Sequence, residues 1–190
     1  TVDKLIKESD IEDINKFSFN TSIQWKPNQT NRIKLNNRLY HHNEDGNSPL
    51  INTFTTIKRN NVNINHNIII KNSWEFNHIF QHQTYSRNYI ETWNSGPAAG
   101  TTETEDLAAE HLNEYEVIIN KKVGLNSVTF GMETSNGSYS SNRIGIDKQL
   151  VYTNSLFTQY ETILFDYYNV VIGLRIDKYS DYKYVYSPRI

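Results

Sequence analysis

Phe17-Ser18-Phe19-Asn20-Thr21-Ser22-Ile23-Gln24-Trp25-Lys26 is the stretch whose pattern decides the fold class. Its odd positions carry aromatic rings, Ile or Thr, and its even positions carry Ser, Asn, Gln and Lys. Side chains alternate across an extended strand, so this pattern makes one face apolar and the other polar. Pro27-Asn28-Gln29-Thr30 follows, a turn cluster whose proline cannot continue a hydrogen-bonded ladder.

The same period runs outward from this stretch. Ile33, Leu35 and Leu39 oppose Arg32, Lys34, Asn36 and Arg38; Val62, Ile64, Ile68 and Ile70 oppose Asn61, Asn63, Asn65 and Asn67. Trp74, Phe76 and Phe80 share a face opposite Glu75 and Asn77. Tyr115, Val117 and Ile119 oppose Glu114, Glu116 and Asn120, and Val128, Phe130 and Met132 oppose Ser127, Thr129 and Glu133. Leu156, Tyr160 and Leu164 form a seventh face, and Val170, Ile172, Leu174 and Ile176 an eighth, opposite Gly173, Arg175 and Asp177. Only Leu107-Ala108-Ala109-Glu110 looks helical, and it is too short to stand alone. The chain is read as all-β with about eight meandering antiparallel strands.

The connections alternate too. Pro27 to Asn31, Lys71 to Ser73, Gly124 to Asn126 and Phe165 to Tyr167 are short. His41 to Ile57, Asn88 to Glu110 and Thr134 to Thr153 read as long polar loops. Short turns on one rim and long loops on the other, with strands of about ten residues, are the pattern of a transmembrane β-barrel with periplasmic turns and extracellular loops.

Composition fits that reading. The chain has 190 residues, 13 Tyr, 8 Phe and 3 Trp, yet a mean hydropathy of only -0.66. A disordered chain is poor in aromatics. A barrel with a lipid-facing apolar face and a polar interior combines many rings with low mean hydropathy. Trp25, Tyr40, Trp74, Tyr85, Tyr89, Tyr152, Tyr167 and Tyr168 fall near strand ends, as interfacial girdles do. No stretch approaches the ~18 apolar residues of a membrane helix. With no cysteine, disulfide and thiolate chemistry are excluded. A net charge of -2 disfavours a nucleic-acid partner. Thr1-Val2-Asp3-Lys4-Leu5 has no secretory signal, and both ends read as cuts within a longer protein.

Four short motifs add a family resemblance. Phe130-Gly131-Met132-Glu133 is followed by Ser155-Leu156-Phe157-Thr158-Gln159-Tyr160-Glu161, then Gly173-Leu174-Arg175-Ile176-Asp177, then Ser187-Pro188-Arg189. In order and spacing they resemble the F-G-x-E, S-L-F-x-Q-x-E, G-L-R-x-D and S-P-R motifs of TonB-dependent outer-membrane receptors.

The resemblance implies a large barrel of about twenty-two strands filled by an amino-terminal plug domain. Residues 1–190 would then be part of that barrel, with the plug, the TonB-contacting box and the remaining strands outside this chain. Gln159, Glu161, Gly173, Arg175 and Asp177 are expected to line the lumen and meet the plug, with Gly173 permitting close backbone approach. Their expected role is packing of plug and strands rather than contact with substrate. The implied partners are outer-membrane lipid, the plug, the TonB energy-coupling system and a small ligand at the extracellular loops. Ser187-Pro188-Arg189 would open a further strand.

Other candidates carry less. His78 and His82 share a strand face but are too far apart to chelate one ion directly, and His41-His42 begins an expected external loop. Without a third convergent ligand they are read as solvated or interface-lining residues. Thr101-Thr102-Glu103-Thr104-Glu105-Asp106 lacks calcium-loop spacing and is read as solvated charge. No phosphate loop, nucleophile elbow or zinc-protease motif occurs, so no catalytic residue, metal site or cofactor is expected.

The functional expectation is outer-membrane active transport of a scarce ligand: a ferric siderophore, haem, cobalamin or a glycan. Two alternatives stand beside it. One is a self-contained eight-stranded outer-membrane barrel acting as an anchor or adhesin. The other is a secreted soluble β domain that binds carbohydrate.

Overall fold

Nine strands follow one another along the chain: β1 (Asp10–Asn28), β2 (Asn31–Asn47), β3 (Ile51–Ile70), β4 (Trp74–Trp93), β5 (Thr102–Val123), β6 (Asn126–Ser141), β7 (Ile146–Leu164), β8 (Tyr168–Tyr179) and β9 (Val185–Arg189). The computed structural model describes residues 10–70, 73–143, 146–165 and 167–189. Lys71, Asn72, Asp166 and part of the expected Thr134–Thr153 loop lie outside these, as do the first nine residues and Ile190.

Each strand pairs antiparallel with the next, giving one sheet in the order β1 to β9 with β1 and β9 at its edges. The all-β antiparallel meander expected from the alternation is therefore present. The short turns after β1 and after β5 fall as expected. Gln29-Thr30 joins β1 to β2, and Pro27 sits in a register shift between Trp25 and Asn28. Asn28 Oδ1 accepts from the Thr30 amide at 3.0 Å, tying that turn together. Gly124 turns the chain at φ 60° between β5 and β6.

Three expectations change. The long polar loops are largely strand: β2 runs to Asn47 and β3 begins at Ile51, so residues 48–50 alone connect them. β4 runs to Trp93 and β5 begins at Thr102, so Leu107-Ala108-Ala109-Glu110 lies in extended backbone. The described strands number nine rather than about eight, because Val185–Arg189 pairs with β8. Pro188 there occupies an edge strand, where a missing N–H removes no bond from an interior ladder.

Register separates the two faces. One carries Phe17, Phe19, Ile23 and Trp25 of β1 and, by cross-strand partnership, Leu35, Ile64, Phe80, Val117, Met132, Leu156 and Ile176. The other is lined by Asn36, Asn63, Gln81, Glu114, Ser135 and Thr153. Tyr40, Arg59 and Tyr85 are successive partners on this polar face, and Tyr89 shares it. Those three tyrosines are therefore not part of an apolar-face girdle, because their parity places them opposite Trp25 and Trp74.

Among the described residues no hydrophobic side chain is buried. Trp25 and Leu156 are each 60% exposed and Ile172 is 54% exposed. A water-soluble sheet of this size hides one face in a core. Here that face has no second layer, as in a barrel wall whose outer side meets hydrocarbon.

Residue type also records strand tilt. The partner row Ile23, Leu35, Ile64 and Phe80 continues as Tyr115, Thr134, Asn154 and Lys178, leaving the apolar band. A lower row starts at Ile70, Trp74 and Lys121 and enters the band at Val128, Tyr160 and Ile172. The apolar band thus crosses the hydrogen-bonded rows diagonally, as it must when strands incline to a barrel axis.

Candidate functional site on the polar face

β6, β7 and β8 bring the motif residues together. Glu133, Ser155 and Asp177 are successive cross-strand partners, and Gly131, Phe157 and Arg175 form the neighbouring row. Both rows lie on the polar face because each motif residue is two positions from the next along its strand.

Arg175 is the hub. Its Nε donates to Asp177 Oδ1 at 2.8 Å, and its Nη2 donates to Glu133 Oε2 and to Ser155 Oγ, each at 2.9 Å. The Ser155 hydroxyl donates to Asp177 Oδ1 at 2.6 Å. Ser155 is 2% exposed and Asp177 6% exposed. The Arg175 guanidinium also lies 5.8 Å from the Phe157 ring centre. A planar, five-donor group is suited to this task, since it reaches three acceptors while its face rests near a ring. One guanidinium between two carboxylates leaves the cluster net negative, and Glu116 stands directly opposite Glu133 on β5.

The glycines have local causes. A Cβ on Gly173 would stand 2.9 Å from the Thr158 carbonyl oxygen, so glycine is required by β7 itself. A Cβ on Gly131 would collide with the Phe157 ring.

Of the expected residues, Arg175 and Asp177 thus share one network, and Gln159 faces Gly173 across the ladder. Gln159 Oε1 accepts from Arg189 Nη1 at 3.3 Å. Glu161 stands apart from the hub, accepting from Asn169 Nδ2 at 3.0 Å and Ser127 Oγ at 3.4 Å. Glu133, Ser155 and Phe157 complete the cluster without having been singled out. Their motifs contained them, but only the β6–β7–β8 register shows that they meet Arg175.

The remaining candidates resolve individually. His41 and His42 lie within β2 rather than at a loop, on opposite faces. His42 is 6% exposed and shares a 2.9 Å hydrogen bond with Glu44, so it is not solvated. His78 hydrogen-bonds the Tyr115 hydroxyl at 2.9 Å and stacks with His66, and His82 hydrogen-bonds Asn113 at 2.7 Å. No group of three or more potential ligands converges among the described residues. Thr102 to Asp106 belong to β5, and Asp106 is buried against Arg87 with Arg143 3.8 Å away, rather than being free charge.

No family model matches this chain, and no curated protein matches it in sequence. Solved structures do. The sheet is similar to the siderophore receptor PirA from Pseudomonas aeruginosa, with a TM-score of 0.69 and 13% identity over 92% of this chain and 29% of that one. It is also similar to the ferric citrate transporter FecA in its unliganded form, with a TM-score of 0.64 and 12% identity over 86% of this chain and 27% of that one. The chain therefore spans less than a third of either structure's length. Identities this low speak to architecture alone, and the architecture is that of an outer-membrane β-barrel wall, present here as an open nine-stranded sheet.

Proposed function

We propose that residues 1–190 form part of the barrel of a TonB-dependent receptor that imports a scarce ligand across the outer membrane. The observation that carries this reading is a coreless nine-stranded sheet that matches a siderophore receptor over 92% of its length. The four motifs support it, because three of them meet in one network in the folded sheet.

In this reading the apolar face meets lipid and the polar face lines the lumen. Gln159, Glu161, Gly173, Arg175 and Asp177 face a plug domain supplied from outside this chain, together with the TonB-contacting box and the remaining strands. The Glu133–Arg175–Asp177 cluster keeps net negative charge available to a cationic group on that plug. The imported ligand belongs to the ferric siderophores, haem, cobalamin or glycans.

The rivals fit less well. A self-contained barrel closes by pairing its first and last strands, whereas β1 and β9 are the sheet's two edges. A soluble carbohydrate-binding domain needs a core, and none of the described hydrophobic residues is buried.

A deletion strain tests the reading through growth on single sources of each ligand class. The expected result is failure on one source, reproduced by removing TonB. Unimpaired growth and uptake on all four classes would overturn the reading.

A further inference from the structure

Basic residues gather on one side of the polar face. Lys16, Arg32, Lys34, Arg38 and Arg59 lie on it in β1 to β3, where Glu44 is hydrogen-bonded to His42, and Glu110, Glu114 and Glu116 lie on it in β5 with Lys122. Its arginines differ in how their charge is met. Arg87 is paired with Asp106, and Arg175 with Glu133 and Asp177. Arg38 and Arg59 have no carboxylate partner among the described residues.

These two guanidinium groups share one cavity. Arg38, Tyr40, Ile57, Arg59, Asn61 and Gln83 line a polar hollow of about 300 Å³. Arg59 sits between two rings, its guanidinium carbon 5.1 Å from the Tyr85 ring centre and 5.9 Å from that of Tyr40. Cation–π contact holds a guanidinium through its face and leaves its N–H edge free to bind an acceptor. Arg38, Asn61 and Gln83 are successive partners in the next row, adding a second guanidinium and two amides. A pair of cationic forks with amide donors and no acid among them is suited to an oxyanion.

We propose that this cavity binds the carboxylate or phosphate group of a small anionic ligand, with Arg38 and Arg59 as the charged contacts and Asn61 and Gln83 as neutral donors. The inference rests on the lumen assignment above and narrows the ligand to one carrying negative charge. A neutral glycan gives the guanidinium pair nothing to neutralise.

Calorimetry on the full-length protein in detergent tests this, using ferric citrate and pyrophosphate as anionic probes and ferrioxamine B as a cationic ferric control. Binding of citrate alone identifies a carboxylate site and of pyrophosphate alone a phosphate site; either supports the proposal. R38Q and R59Q should each weaken the bound anion about tenfold. Lys58→Gln, on the opposite face, should leave it unchanged. Equal affinity in the R38Q/R59Q double variant overturns the site, as does failure of both anions to bind the wild type. A lower melting temperature with unchanged affinity assigns the pair to a carboxylate of the protein and likewise overturns it. Transport fails separately: loss of uptake in cells with anion binding intact refutes import and leaves the site standing, whereas normal uptake and binding in R38Q/R59Q does the reverse.

Discussion

The Phe157 ring occupies the space that a side chain on Gly131 would need: a Cβ there would stand 1.9 Å from Phe157 Cζ. The two residues are direct cross-strand partners on β6 and β7. A bare backbone on one strand and a ring laid over it from the next is a mutual dependence, and it joins two motifs that are far apart in sequence.

Gly131→Val should therefore evict the ring. Overpacking of this kind costs about 1–3 kcal/mol. The expected readout is a lower urea midpoint for the full-length protein refolded in lipid vesicles. Adding Phe157→Ala should recover part of the loss, since the two changes share one volume. Additive losses would show that the ring and the glycine are energetically independent.

Arg175→Gln should leave Asp177 and Glu133 facing each other without their shared cation. Loss of one partner from a part-buried charged hydrogen bond costs about 1–3 kcal/mol, toward the low end because the Arg175 side chain is 38% exposed. Arg175→Lys should recover less than half, because an ammonium lacks the fork that reaches three acceptors. Full recovery by lysine would reduce the interaction to simple charge neutralisation.

Ile172→Arg and Leu174→Arg place a cation on the apolar face. If this face meets hydrocarbon, each should impair assembly by about 2–4 kcal/mol at mid-bilayer. Gln159→Arg, on the polar face, should have a much smaller effect. Indifference of folding to the Ile172 and Leu174 changes would remove lipid from the account.

Gly124→Ala isolates backbone strain. Its φ is 60°, and nothing lies within 4 Å of a Cβ built there. The cost of about 1 kcal/mol should thus come from the left-handed conformation alone. Gly124→Asn should lose less, since asparagine tolerates that region. Equal losses in the two variants would point to some other cause.

The apolar-band portions of the strands were legible because one face is apolar and the other polar. Val62 to Ile70 and Val170 to Ile176 announce their strands through that contrast. Beyond the band, both faces carry polar residues and the contrast fades. Thr102 to Glu110 and His42 to Asn47 are strand through ladder hydrogen bonds, not through any alternation of hydrophobicity. The site divides similarly. Arg175 and Asp177 stand two apart in one motif and were readable as neighbours. Glu133 and Ser155 join them only through register, which depends on every turn upstream. The Tyr40–Arg59–Tyr85 row was hidden for the same reason, its members lying on three strands.

The diagonal course of the apolar band makes each partner row a ruler of depth. Ile23 and Lys178 belong to one unbroken row, yet in the proposed orientation one sits in hydrocarbon and the other in water. Adjacent partners thus sit at slightly different levels, and equal depth joins residues that do not pair. A polarity-sensitive label moved along this row should report a gradient from Ile23 to Lys178, its slope a direct measure of strand inclination.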